Sequence, residues 1–318
     1  MVIQMEKQTE YNSKISFFFS GILMGAADAV PGVSGGTIAL ILGIYRRLIK
    51  AIFTILESTK NRFSSASQAE FRLALAFLLP LVLGMFLSYY VVTKILVGPE
   101  DNPGLLLRNS TAPYVFSFFF GLVLFSIKEP WSFVKNPRIT HYLLVLLGFI
   151  IVSVFSVLTF DSNGTNSFFL IFGGALALTA MLLPGVSGAL VLLTLGQYTL
   201  VVTSFHEGNF VPIFYLMIGG LFSIFTFVPA MYFMIENHIE VTMSLLTGLM
   251  CGSLITLWPW KSDYNSQGLS YNIGFFETLG SYSTLSILLS VIFALLGIFS
   301  SSFLMHAAAK RKIRDGSL

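Results

Sequence analysis

The chain has 318 residues, 55% hydrophobic and 10% charged, with 18 Lys and Arg against 15 Asp and Glu and a mean hydropathy of +0.82. A soluble domain carries about 25% charged residues, so this chain has too little charge to cover a water-facing surface and must turn apolar side chains to lipid. A formal net charge of +3 gives no argument for nucleic acid, and the single cysteine, Cys251, excludes an intrachain disulfide and a thiolate zinc cluster.

Met1 to Lys14 is mixed polar and lacks the features of a cleaved leader, so the first apolar segment is expected to stay in the fold. Apolar stretches then follow at Ile15 to Val30, Gly36 to Leu56, Leu73 to Val97, Thr111 to Ile127, Ile139 to Phe160, Ser167 to Leu183, Ala189 to Phe205, Val211 to Ile235, Ile239 to Trp258 and Thr284 to Ala309. Five comfortably reach the roughly 20 residues of a full crossing. The segments beside two Pro-Gly-Val-Ser-Gly runs are shorter or interrupted. Lipid offers backbone groups no partner and the runs lack strand-like alternation, so they are expected to be helices. Lys261 to Ser283 is the longest polar stretch, and no separate soluble domain fits.

Pro31 aligned on Pro184, an offset of 153, brings Ala27 onto Ala180 and the whole Pro-Gly-Val-Ser-Gly run onto its copy. Leu40, Leu42, Gly43 and Tyr45 then meet Leu193, Leu195, Gly196 and Tyr198. The chain divides into repeat 1 (1–160) and repeat 2 (161–318). Each is a broken helical hairpin (15–56 and 167–205) followed by three spans, within one integral membrane domain. Threading the N-terminus inside puts 15 of the 18 basic residues on the cytoplasmic side, leaving Lys94, Arg108 and Lys261 outside. Each half then has an odd number of crossings, whether its hairpin is re-entrant or fully spanning. The expected fold is therefore all-α, with two inverted-topology repeats, a design of secondary transporters.

Each proline breaks the helix before it, the glycines allow tight turns, and Ser34 and Ser187 stand where N-caps would start new helices, the first running from Gly36 to Leu56. A helix that starts inside the membrane has unpaired amides and a positive dipole end, which suit an anion. Candidate binding residues are Gly32, Ser34, Gly35, Gly36 and Thr37 in the first half, and Gly185, Ser187 and Gly188 in the second. The same small residues would also serve as a packing motif. Asp28 is a carboxylate within an apolar segment; it is the candidate for coupling to H⁺ or Na⁺, or a cap on the loop amides. Arg46 and Arg47 would attract phosphate or anchor at the interface, and Gln197 offers an uncharged donor. His141 and His306 have no second ligand in view, so no metal, cofactor or catalytic residue is expected.

Gly25 to Tyr45 (GAADAVPGVSGGTIALILGIY), echoed by Leu178 to Tyr198 (LTAMLLPGVSGALVLLTLGQY), resembles the bacterial polyprenyl-phosphate transporter family. The resemblance extends over essentially the whole chain. It departs at Arg46, where the family pattern often carries an acidic residue. It implies a carrier, not an enzyme, that returns undecaprenyl phosphate from the outer to the inner leaflet for cell-envelope synthesis. Both termini would be cytoplasmic in a bacterial inner membrane, with Asp28, Pro31 to Thr37 and Pro184 to Gly188 lining the head-group site. A secondary transporter of a small soluble anion is the alternative that the inverted design leaves open. A homo-oligomer is compatible with either reading.

Overall fold

The computed structural model describes residues 2–60, 65–96, 98, 104–156, 166–198, 200–201, 204, 208–264 and 271–314. Among them every regular element is a helix: α1 (Val2–Asp28), α2 (Gly35–Ile41), α3 (Tyr45–Lys60), α4 (Ser65–Leu96), α5 (Ala112–Ser126), α6 (Lys128–Trp131), α7 (Ile139–Phe155), α8 (Ser167–Leu182), α9 (Gly188–Thr194), α10 (Val211–Asn237), α11 (Ile239–Thr256), α12 (Phe275–Ser281) and α13 (Thr284–Arg314). Five segments are long and apolar enough to cross a membrane: Gln68–Leu96, Ala112–Trp131, Val211–Asn237, Ile239–Thr256 and Thr284–Lys310. Their outer faces carry exposed Leu83, Phe86, Phe222, Phe225, Leu288 and Phe299, a surface that only lipid satisfies. The chain is a multi-pass α-helical membrane protein.

Four helix pairs make up the body: α1 with α4, α8 with α10, α5 with α13, and α7 with α11. Each is closed by a glycine on either side. A Cβ on Gly21 would overlap the Leu81 backbone and one on Gly84 the Phe18 carbonyl; Gly174 and Gly219 stand the same way against Leu216 and Ile171. Gly121 abuts Ala294 and Gly297 abuts Phe118, matched by Gly248 against Val145 and Gly148 against Leu245. Main chain meets main chain at these crossings, the small-residue packing that stands in for hydrophobic attraction between helices in lipid. Exchanging the halves maps the first pair onto the second and the third onto the fourth.

The single helix expected from Gly36 to Leu56 is two. Gly43 takes φ 68°, its N–H reaches the Leu40 carbonyl at 2.8 Å, and the Ile44 N–H reaches the Ala39 carbonyl at 2.9 Å. This is a Schellman stop, which glycine permits without a Cβ clash. Gly196, at φ 67°, ends α9 in the same way. α3 then runs as an amphipathic helix with Leu48 and Ile49 buried and Arg46, Arg47 and Lys50 exposed. The stretch 157–165, which includes the expected end of a span at Phe160, lies outside the described residues, as does most of 199–207.

Candidate functional site

α1 and α8 both end because a Pro-Gly pair follows. Gly32 and Gly185 sit at φ 91° and 83°, in the left-handed region. Each loop then delivers its serine in extended backbone as an N-cap. Ser34 Oγ accepts the Gly36 N–H at 3.1 Å, and Ser187 Oγ accepts the Leu190 N–H at 3.4 Å. Local sequence thus builds the same corner twice.

The two corners touch. Ser34 Oγ stands 3.1 Å from the Leu183 carbonyl and 3.2 Å from the Met181 carbonyl, one hydroxyl proton facing two acceptors. The Tyr45 hydroxyl donates to the Leu182 carbonyl at 3.0 Å. The Gly185 N–H donates to Thr37 Oγ1 at 2.9 Å. The carbonyls of Met181 and Leu182 belong to the last turn of α8, where no intrahelical donor exists; side chains of the first half supply donors to them. Ser34 and Thr37 are fully buried and Ser187 nearly so. Ser187, by contrast, bonds within its own half, and Leu190 occupies the place of Thr37; the second half's side-chain donor to the first is Thr194, whose Oγ1 reaches the Phe155 carbonyl at the end of α7 at 3.0 Å.

The sequence suggests bare amides at both helix starts, and for α2 the structure corrects this. Half-buried Asp28 turns back so that its Oδ1 accepts the Gly35 N–H at 2.6 Å, Ser34 takes the next amide, and the Thr37 N–H goes to the Ser34 carbonyl at 2.9 Å. Asp28 is therefore a cap on the loop amide, which is the second role expected of it. In the other half Met181 stands in its place, and among the described residues no side chain accepts from the amides of Gly188 or Ala189.

Gly32, Ser34, Gly35, Gly36, Thr37, Gly185, Ser187 and Gly188 gather at or beside this junction; three other candidates do not. Arg46 is exposed and lies 3.4 Å from Glu236. The Arg47 guanidinium stacks over the rings of Phe17 and Phe77 at 4.6 and 4.7 Å. Gln197 is buried against α8, with Nε2 donating to the Phe169 carbonyl at 2.8 Å. Among the described residues no group of three His, Cys, Asp or Glu side chains converges as a metal site would need.

Lys261 is a residue whose position sequence reasoning does not reveal. Counted there only as an outer-side cation, it is buried, 8% exposed. Its Nζ donates to the Thr256 carbonyl and to Asn272 Oδ1, both at 3.0 Å, and lies 5.1 Å from the centre of the Phe116 ring. Burial lowers its pKa to about 8. The neighbouring Thr256 side chain packs directly against Gly32 of the first loop. The only sequence signal was a lone lysine among Trp258, Trp260 and Tyr264.

Comparison with known proteins shows the family of this chain. Residues 24–272 match the family model described as undecaprenyl phosphate translocase-like. Over 252 residues, 78% of this chain and 78% of its relative, the sequence is 32% identical to the polyprenyl-phosphate transporter of Vibrio cholerae serotype O1. Over 261 residues, 75% of this chain and 84% of the relative, it is 30% identical to the polyprenyl-phosphate transporter of Staphylococcus aureus. No solved structure matches it significantly.

Proposed function

We propose that this chain, which belongs to the undecaprenyl phosphate translocase-like family, carries polyprenyl phosphate across the bacterial cytoplasmic membrane, from the outer to the inner leaflet. The observation that carries this reading is the meeting of two broken helices at one buried junction, Ser34, Thr37 and Tyr45 against Met181 to Gly185. The substrate suits such a junction. A phosphate monoester carries about −1.5 to −2 near neutral pH on a tail that stays in lipid, so the protein needs to shield only the head.

The two halves are taken as inverted repeats, with re-entrant hairpins entering from opposite leaflets and both termini cytoplasmic. Supporting this are the matching helix pairs and the bias of basic residues. Such an arrangement offers one site alternately to each side.

Asp28 gives the cycle its coupling. Its carboxylate holds the Gly35 amide as an anionic head group would. Neutralised by a proton, it no longer competes for that amide, and a phosphate oxygen takes its place; departure of the head group restores the carboxylate. H⁺ is the coupling ion in this scheme.

Leaflet-resolved movement of undecaprenyl phosphate in proteoliposomes at several pH values is the test. Wild-type protein is expected to move the lipid with a rate that depends on pH. Asp28→Asn is expected to lose that dependence, and Ser34→Ala and Ser187→Ala to slow transport. Wild-type rates in all three variants would remove the junction as the site. Uptake of inorganic phosphate, with no movement of the lipid, would favour a carrier of small soluble anions.

A further inference from the structure

The segment 256–261, where α11 ends, carries a buried cation and two buried donors without acceptors. Among the described residues no carboxylate contacts the buried Lys261: both hydrogen-bond partners are neutral oxygens and its third neighbour is the Phe116 ring. An ammonium has three protons to donate, and the two oxygens take two. Thr256 Oγ1 is buried without a hydrogen-bond partner, and so is Trp260 Nε1, on a side chain 7% exposed. Buried polar groups ordinarily find partners, and a buried cation ordinarily finds an anion.

The surrounding loop holds this arrangement in place. Lys261 and Asn272 form an antiparallel bridge. Asn272 Nδ2 donates to the Ile255 carbonyl at 2.7 Å, Trp258 Nε1 donates to the Ile273 carbonyl at 2.9 Å, and the Tyr282 hydroxyl donates to the Lys261 carbonyl at 3.1 Å. With the loop tied down on both sides, the cation does not need its own salt bridge to stay where it is. Thr256, whose carbonyl Lys261 holds, is also the residue that packs against Gly32. Thr256 therefore links Lys261 to the first Pro-Gly corner.

We propose that Lys261, with the Thr256 hydroxyl and the Trp260 indole N–H, forms a phosphate-monoester site beside the first loop. Resting on the carrier reading above, it is where the head group is held on the outer side before it enters the junction. A phosphate oxygen supplies the counter-charge that Lys261 lacks and the acceptors that Thr256 and Trp260 lack.

The test uses the full chain in nanodiscs, titrated separately with undecaprenyl phosphate and with inorganic phosphate, and followed by thermal unfolding and by Trp fluorescence. Lys261→Met is expected to weaken binding of the lipid about tenfold or more, Lys261→Arg to stay close to wild type, and Thr256→Val to lie between. A lysine that only clamps the end of α11 would lower the unfolding temperature of the ligand-free protein and leave the affinity unchanged. Wild-type affinity in Lys261→Met therefore overturns the site, while the carrier reading stands. Binding of inorganic phosphate alone, lost in Lys261→Met, keeps the site and overturns the lipid as its ligand. Binding of neither by wild-type protein overturns both.

Discussion

The junction makes Ser34 and Ser187 unequal although they occupy the same place in the repeat, and Ala substitution measures the difference. Ser34→Ala removes the cap on the Gly36 N–H, worth about 1 kcal/mol. It also removes the side-chain donor that, among the described residues, faces the Leu183 and Met181 carbonyls, worth about another 1 kcal/mol, or more if a carbonyl is left dry. Ser187→Ala removes one long bond, 3.4 Å, within its own half, worth about 0.5–1 kcal/mol. The expected losses are therefore about 2 and under about 1 kcal/mol. Reversible unfolding in mixed micelles, titrated with a denaturing detergent, reads both. Equal losses, or a larger one for Ser187→Ala, would refute the reasoning that the first half supplies the side chains of the junction.

Tyr45→Phe leaves the Leu182 carbonyl without its donor and should cost about 1–2 kcal/mol in the same assay, whereas Tyr198→Phe should cost less than about 0.5 kcal/mol. Gly121→Leu drives a side chain into the Ala294 backbone and should destabilise the chain by about 3 kcal/mol or prevent its assembly, seen as loss of the monodisperse peak in size-exclusion chromatography; Gly280→Ala, with nothing within 4 Å, should be neutral or slightly stabilising. Lys261 has a pKa of about 8 in the fold against an ordinary 10.5, so in that window the unfolded chain holds more protons and stability should rise with pH. The gain is on the order of 3 kcal/mol if the window is fully crossed. The slope is best read below about pH 9.5, before tyrosines titrate, and Lys261→Met should flatten it.

Features with local backbone consequences were legible in the sequence. Pro31 and Pro184 ended helices, Ser34 and Ser187 capped new ones, and the alignment at 153 residues anticipated corners of one shape. The break at Gly43 was less legible, because an apolar run from Gly36 to Leu56 reads as one helix until the positive φ at Gly43 is known. The bonds across the junction could not be read at all, since their partners in the second half are backbone atoms and carry no residue identity. Asp28 was singled out for its cost in lipid, but that cost does not say that its carboxylate turns back on Gly35. Arg46, Arg47 and Gln197 were chosen for nearness in sequence to the loops. A helix surface separates neighbours by about 100° per residue, and nearness along the chain did not bring them to the junction.

The glycine crossings constrain how this molecule can change shape. Helices locked main chain to main chain cannot slide past one another without collision, so each of the four pairs behaves as a stiff plank. Two of the planks, α5 with α13 and α7 with α11, are made of one helix from each half. The halves are stitched together by these shared planks and cannot swing apart like the two shells of a clam. Motion that respects the crossings moves α1 with α4, and α8 with α10, as two separate paddles against the two shared planks.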